Sequence, residues 1–107
     1  MSHAAKYLYL TTTGRRSGRP RRIEIWFTRH RGCYYLVAEH GLRAQWVQNI
    51  LAEPAVRARV GSRTFRARGR VVDARAERRL VSTVRRLSEA KYVWCAGLVV
   101  EIAPRRR

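Results

Sequence analysis

Apolar and polar side chains alternate with a period of two residues along most of the chain, and this pattern is typical of β-strands. The predicted strands cover residues 7–13, 23–28, 33–38, 55–60, 63–72 and 98–102. In the second of them, Ile23, Ile25 and Phe27 share one face. A loop through Pro20 follows the first strand, and the turn at residues 29–32 predicts a hairpin between the second and third strands.

The fourth and fifth predicted strands form a hairpin whose register follows from its turn at residues 61–62. A two-residue turn pairs Ala58 with Phe65. On the same face it pairs Val56 with Ala67. The opposite face carries five arginines, and we call it the arginine face: Arg57, Arg59, Arg66, Arg68 and Arg70. This face suits either plain solvation or contact with a phosphate backbone, and alternation places the aromatic residue of the hairpin on the other side.

Two segments carry helical spacing instead. The first has apolar side chains one turn apart and ends before Pro54; they are Trp46, Val47, Ile50 and Leu51. The second follows Asp73 as a cap and covers residues 74–88. Its predicted apolar stripe consists of Ala76, Leu80, Val84 and Leu87. Residues 104–107 form a basic tail that we expect to fray.

The order of elements is three strands, a helix, two strands, a helix and a strand, which predicts a mainly β fold of the α+β class. We expect a small barrel of about six antiparallel strands with two flanking helices. The size fits one domain over residues 1–107, and a hydrophobic fraction of 46% is typical of a globular chain. No apolar run could span a bilayer or serve as a signal peptide, so we expect a cytoplasmic protein.

The charge of the chain favours anionic partners. The net charge is +17, and all but two of the 24 basic residues are arginine, which suits nucleic acid, phosphorylated cofactors or an acidic membrane surface. Cys33 and Cys95 lack the paired spacing of a zinc ribbon or a redox dithiol, and we expect free thiols. His30 and His40 have no partner at ligand spacing, so we expect no metal site and identify no catalytic side chain. That pattern fits either cofactor-borne chemistry or a binding module.

The loop between the first two strands has the composition of an anion site. It reads Thr-Thr-Thr-Gly-Arg-Arg-Ser-Gly-Arg-Pro-Arg-Arg, and we call residues 14–18 the glycine-arginine loop. Gly14 and Gly18 allow the backbone to approach an anion closely, and Ser17 adds a hydroxyl donor. Arginine supplies paired donors that match phosphate or carboxylate oxygens. The loop lacks the glycine spacing and the lysine of a P-loop, so the residues alone favour either an oxyanion site or a solvated basic loop.

Three blocks of the sequence resemble the deazaflavin-dependent nitroreductase and quinone reductase family. They are Leu-Thr-Thr-Thr-Gly-Arg-Arg-Ser-Gly-Arg-Pro-Arg-Arg-Ile-Glu-Ile-Trp-Phe, then Trp-Val-Gln-Asn-Ile-Leu-Ala-Glu-Pro-Ala-Val, then residues 61–71. The resemblance covers residues 7–72 and implies a split β-barrel related to flavin-binding split barrels. It also implies hydride transfer from reduced coenzyme F420, an 8-hydroxy-5-deazaflavin, to a nitroaromatic or quinone-like acceptor. Because other members of the wider fold bind flavins, FMN is the alternative cofactor.

The same resemblance implies a set of cofactor contacts. The glycine-arginine loop would hold the phosphate and acidic tail through Gly14, Arg15, Arg16, Ser17 and Gly18. Trp46 and Asn49 would flank the ring, and Arg43 is placed to add an anion contact. A tryptophan at helical spacing is more often a core residue than a ligand wall, so Trp46 also fits a core position. Asn49 is a polar residue on a short apolar helix and needs a partner. Many members have a tyrosine-bearing stretch before the last strand, and this chain departs from that pattern, with only Tyr92 and Trp94 in a similar place.

Two other functions stay open at this point. The chain could be a nucleic-acid-binding protein that uses the arginine face, or a carrier that binds the cofactor without turnover. From charge alone we expect nucleic acid to bind only non-specifically, with an affinity that falls steeply as salt rises. We also expect a homodimer, because so small a barrel leaves edge strands and a cofactor groove that a second copy would cover.

Overall fold

The computed structural model describes residues 5–105. Within them the strands are β1 (Tyr7–Thr13), β2 (Pro20–Trp26), β3 (Thr28–His30), β4 (Cys33–Ala38), β5 (Ala55–Val60), β6 (Arg63–Val71) and β7 (Leu98–Pro104). The helices are α1 (Gln45–Ala52) and α2 (Arg78–Tyr92), and a single 3-10 turn covers Gly41–Arg43. The part of the chain that the structure describes is therefore mainly β with two α-helices.

The seven strands of the described residues form one antiparallel sheet in the order β2-β1-β5-β6-β7-β4-β3. The strands β2 and β3 lie at opposite ends of this order, although only Phe27 separates them in the chain. Because one residue cannot bridge the width of a flat sheet, the sheet curls so that β2 and β3 approach each other at Phe27 without pairing. The result is a half-barrel whose open seam lies beside β2.

The concave side of the sheet holds the main hydrophobic core. Leu8 and Leu10 of β1 face Leu36 of β4 and the buried side chains of β7. Helix α1 closes this side with Val47 and Ile50, both of them buried. A Cβ atom on Gly69 would lie 3.1 Å from Ile50, so glycine on β6 lets the helix come close to the sheet.

A second core lies on the outer side of the sheet under α2. Tyr35 and Val37 of β4 pack there against Val81 and Val84 of the helix. Strand β4 is therefore buried on both faces, which explains why its sequence is almost entirely apolar rather than alternating. The helix is positioned so that its C-terminal end reaches the seam of the half-barrel, where β2 meets β3.

Several local predictions are confirmed. Strand β1 has the predicted bounds, and α1 ends before Pro54 as expected. The β5–β6 hairpin has the predicted register, with Ala58 opposite Phe65 and with Val56 opposite Ala67. Both cysteines are free and half-buried. The predictions of β1, of the end of α1 and of the hairpin register each depend on turns and periodicity within one short segment of chain.

The predicted hairpin between residues 23–28 and 33–38 is wrong in its extent. Strand β2 pairs along its whole length with β1, and only the short β3 pairs with β4. The break falls at Phe27, whose ring is buried in the core. Alternation along a strand identifies its faces but not its partner, so the sequence did not distinguish one long strand from two short ones. The extra strand also raises the count from about six to seven among the described residues.

The second helix and the tail also differ from the prediction. Residues 74–77 form turns, in which Asp73 Oδ1 accepts the Arg75 and Ala76 amides, so α2 begins four residues later than expected. Its buried positions are Val81, Val84 and Ser88, so Val84 has its predicted place, Leu80 and Leu87 are half-buried, and Ala76 lies in the turns before the helix. In the tail, Pro104 belongs to β7 and the Arg105 amide donates to the sheet, while residues 106–107 lie outside the described part of the chain.

Candidate functional site

The glycine-arginine loop is a compact turn held by its own backbone. The Gly18 amide donates to the Gly14 carbonyl at 2.7 Å, and the Gly14 amide donates to the Arg19 carbonyl at 2.8 Å. The Ser17 hydroxyl accepts the Arg19 amide at 3.1 Å. A Cβ atom on Gly14 would lie 2.7 Å from Ser17 Oγ and 3.2 Å from the Arg19 carbonyl oxygen, so a larger residue there would displace the Ser17 side chain. The loop therefore presents its arginine side chains from a fixed backbone.

Asn49 connects this loop to the body of the protein. Its Oδ1 accepts the Arg15 amide at 3.2 Å and Arg15 Nη1 at 3.0 Å. Its Nδ2 donates to Thr12 Oγ1 at 3.1 Å, and both of these side chains are buried. The partner that the sequence required for Asn49 is thus the loop itself. Arg15 is engaged in the same contact, so the two residues position the loop.

The loop, β2 and α1 enclose a cavity of about 570 Å³, which we call the basic cavity. Its loop and strand side is formed by Gly14, Arg15, Arg16, Ser17, Arg21 and Arg22. Helix α1 contributes Trp46 and Asn49, and no described carboxylate lines the cavity. Arg16 is exposed, and its guanidinium has no hydrogen-bond partner within residues 5–105. Such a donor set is suited to an anion of phosphate or carboxylate type.

A second cavity of about 630 Å³ adjoins the first, and we call it the aromatic cavity. It lies between the edge of β2, the end of β4 and the C-terminal end of α2. On its wall Trp26 stacks on Tyr92 with ring centroids 4.5 Å apart and an interplanar angle of 7°. Trp94 meets Trp26 edge-on at 6.0 Å. The cavity therefore has rigid aromatic walls suited to a planar molecule.

Trp46 belongs to the walls of both cavities. It is half-buried and also packs against the main core. The two interpretations of this residue from the sequence, core position and ligand wall, are therefore compatible. The arrangement gives one groove with a basic end and an aromatic end, and Trp46 lies where they meet.

The end of α2 fixes the seam of the half-barrel. Tyr92 Oη accepts the Phe27 amide at 3.1 Å and donates to the Lys6 carbonyl at 2.6 Å. Lys91 Nζ donates to the Ala5 and Phe27 carbonyls, each at 3.0 Å, and lies 3.8 Å from the centroid of the Phe27 ring. Burial lowers the pKa of the Lys91 ammonium and raises the pKa of the Tyr92 hydroxyl. Both groups donate hydrogen bonds to backbone carbonyl oxygens at the seam.

Most of the site residues indicated by the resemblance come together. Those that line the basic cavity are Gly14, Arg15, Arg16, Ser17, Trp46 and Asn49. Gly18 belongs to the loop but faces a neighbouring depression, and Arg43 is exposed in the 3-10 turn and lines neither cavity. Sequence reasoning did not identify Arg21 and Arg22 as cavity residues, although their place just after the loop is a usable signal. It also missed Trp26 as a wall of the aromatic cavity.

The arginine face is present, with one change. Arg70 pairs with Glu77 at 2.6 Å and with Glu101 at 2.9 Å, so it is not free for a ligand. Tyr9 of β1 also lies on this face, but two guanidinium groups already contact its ring. The guanidinium carbons of Arg22 and Arg59 lie 4.6 Å and 5.0 Å from the centroid of the ring. Because these arginines lie over the ring, Tyr9 offers little platform for a stacked base.

A family model described as F420H(2)-dependent quinone reductase matches residues 2–97 of the chain. The chain belongs to this family. It is an oxidoreductase, its cofactor is coenzyme F420, and it has F420-dependent reductase activity. No protein with a curated description matches the chain. Among the helices of residues 5–105, none is long and apolar enough to cross a membrane.

Solved structures with the same split-barrel fold accompany this match. An F420-H2 dependent reductase (FDR-A) has a TM-score of 0.71 at 22% identity, over 95% of this chain and 98% of that chain. A FAD-binding protein from Mesorhizobium loti has a TM-score of 0.74 at 14% identity, over 94% and 82%. A third structure, described as a domain-swapped dimer, has a TM-score of 0.65 at 20% identity, over 95% and 82%. At these identities the likeness establishes the fold.

The residues present fit the cofactor that the family uses. The basic cavity offers four guanidinium groups and the Ser17 hydroxyl, and it has no lining carboxylate that would repel an anion. The aromatic cavity offers aromatic walls, and Trp46 lines both cavities. A molecule with an anionic tail and a planar ring matches this pairing in both charge and shape.

Proposed function

We propose that this reductase transfers a hydride from reduced coenzyme F420 to a quinone-like or nitroaromatic acceptor. In this proposal the basic cavity holds the phosphate and acidic tail through Arg16, Arg21, Arg22 and the Ser17 hydroxyl. Arg15 and Asn49 keep the loop in place. The ring lies beside Trp46, and the acceptor occupies the aromatic cavity.

The observation that carries the proposal is the shared wall at Trp46. A hydride passes only between groups in contact, so the cofactor ring and the acceptor must occupy adjoining spaces. The two cavities adjoin at this side chain. Reduced coenzyme F420 supplies the hydride, and a proton completes the reduction of a quinone to a hydroquinone. The chain contributes binding, orientation and the exclusion of water.

The test combines binding and turnover. We expect the fluorescence of coenzyme F420 to change on titration with the protein, and the absorbance of the oxidised cofactor to appear when menadione or a nitroaromatic is added to the reduced form. Binding without turnover of any acceptor would favour the carrier, and a preference for FMN in a parallel titration would contradict the cofactor assignment at this site.

We also propose that two copies form a homodimer. The strands β2 and β3 each have one neighbour in the sheet, so their outer edges are free to meet another chain. The structural neighbour described as a domain-swapped dimer supports the idea. Light scattering of the purified protein provides the test, because a mass near 12.5 kDa at working concentrations would exclude the dimer.

Asn49→Ala is expected to lower both stability and cofactor affinity. The change leaves the buried Thr12 hydroxyl and the Arg15 amide without their partner, which typically costs about 1 to 3 kcal/mol. For a domain of this size, that corresponds to a fall in Tm of roughly 4 to 8 °C per kcal/mol. Thermal melting followed by circular dichroism measures the first effect, and titration of coenzyme F420 measures the second.

The control for this variant is Gln48→Ala on the same helix. Gln48 Nε2 donates to the Leu42 carbonyl at 2.6 Å on the exposed side, away from the glycine-arginine loop. We expect this variant to retain the cofactor affinity of the unmodified protein. Equal losses of affinity in the two variants would argue against a positioning role for Asn49.

A further inference from the structure

The aromatic cavity has a charge opposite to that of the protein around it. The net charge of the chain is +17, yet no lysine or arginine of residues 5–105 lines this cavity. Two of the seven acidic residues do line it, Glu24 and Glu39. All three tryptophans of the chain also line it, namely Trp26, Trp46 and Trp94. The lining of this cavity therefore carries negative charge, in contrast to the chain as a whole.

The two carboxylates are free to act on a ligand. Glu24 lies on the edge strand β2, and Glu39 follows the end of β4 on the other side of the cavity. In the described part of the chain, the side-chain ion pairs join Arg70 to Glu77 and to Glu101. Neither Glu24 nor Glu39 has a cation within 4 Å there. Both carboxylates are exposed and outside any salt bridge of the described residues.

Aromatic walls and unpaired carboxylates favour the same kind of ligand. The face of an indole ring attracts a cation, and the attraction is strongest for tryptophan. A carboxylate adds a Coulomb attraction for a cation and an equal repulsion for an anion. We propose that the aromatic cavity is an acceptor subsite for planar aromatic cations, and that Glu24 and Glu39 exclude anions of the same shape. The role of this ligand as a hydride acceptor rests on the proposed function, whereas the preference for cations rests on the cavity alone.

The opposite charges of the two cavities also determine the orientation in which a ligand with one anionic end binds in the groove. The basic cavity attracts the anionic part of a ligand, and the aromatic cavity repels it. A bound cofactor would therefore keep its phosphate and tail at the end lined by Arg16 and Arg22. The carboxylates thus protect the acceptor end from the most abundant kind of partner that a strongly basic protein attracts.

The test is a fluorescence titration of the protein without cofactor. The matched probes are the N-methylacridinium cation and the acridine-9-carboxylate anion, which share a ring system and differ in charge. All three tryptophans line the aromatic cavity, so quenching of their emission reports binding of the cation. Because Trp46 also lines the basic cavity, the affinity of the anion for the aromatic cavity is measured by its displacement of the bound cation. We expect the cation to bind roughly tenfold or more tightly than the anion, despite the positive net charge of the protein.

The variants are Glu24→Gln, Glu39→Gln and the double variant, with Glu89→Gln as the control. Glu89 is exposed on α2 and lines neither the basic nor the aromatic cavity, so the control variant removes the same charge elsewhere. We expect the double variant to lose roughly threefold to tenfold in affinity for the cation and to gain in affinity for the anion. The control should leave the ratio of the two affinities unchanged.

Two results would overturn the inference. One is an anion whose affinity, measured by displacement of the cation from the unmodified protein, equals that of the cation, a measurement that needs no variant to fold. The other is a ratio of affinities that does not change in the folded double variant. Since the titration contains no coenzyme F420, a cation preference without any cofactor binding would refute the proposed function and leave the cavity inference standing.

Discussion

Arg16→Ala is expected to weaken the binding of coenzyme F420 by roughly tenfold to a hundredfold, which is the usual effect of losing a charge-assisted contact. Arg16 is exposed at the mouth of the basic cavity and has no internal partner among the described residues, so its guanidinium is available to a ligand. For the same reason the fold should be unaffected. Fluorescence titration of the cofactor measures the affinity, and a thermal melt checks the fold.

Two further variants separate a specific site from general attraction. Arg16→Lys keeps the charge but loses the paired donors, so it should weaken binding less than the alanine variant does. Arg68→Ala removes the same charge from the exposed arginine face, outside the basic cavity, and should barely affect the cofactor. Equal losses in Arg16→Ala and Arg68→Ala would mean that diffuse charge, and not the loop, attracts the cofactor.

Gly97→Ala is expected to be the most damaging single substitution for stability. Gly97 has φ +142°, and a Cβ atom there would lie 2.8 Å from the carbonyl carbon of Ala38 and would overlap its oxygen. Ala38 pairs with Leu98 at the start of β7, so the clash would push apart the strands β4 and β7. We expect a loss of more than about 4 kcal/mol, or a fall in Tm of at least roughly 15 °C.

Gly32→Ala is the matched control for this effect. Gly32 also has a positive φ, +80°, but a Cβ atom there meets nothing within 4 Å. It should lose only the backbone preference of glycine, on the order of 1 kcal/mol. Chemical denaturation of both variants measures the difference. Similar losses in the two would show that backbone strain, rather than contact with β4, sets the requirement for glycine.

The parts of this fold that the sequence predicts well depend on local signals. The register of the β5–β6 hairpin follows from its two-residue turn, and the glycine-arginine loop is identified by composition within five residues. The partner of β2 could not be predicted in this way, because alternation along Ile23, Ile25 and Phe27 fits a pairing with β1 or with β4. The choice depends on packing between residues distant in the chain.

The same distinction applies to the site. The basic cavity is built largely from one loop and the strand after it, so a contiguous motif indicates most of it. The aromatic cavity combines Trp26 of β2, Trp46 of α1 and the end of α2 around Trp94. No spacing in the sequence connects these segments. Arg15 and Asn49 are in contact although they lie 34 residues apart. The sequence indicated only that Asn49 needs a partner, and not which residue that partner is.

The single residue between β2 and β3 makes the seam of the half-barrel a joint. Phe27 connects the two ends of the sheet, and Tyr92 contacts both sides of this joint, with its hydroxyl on the Phe27 backbone and its ring on Trp26. Because the same Tyr92 and Trp26 rings line the aromatic cavity, the contacts that hold the joint and the shape of the cavity wall depend on one pair of side chains.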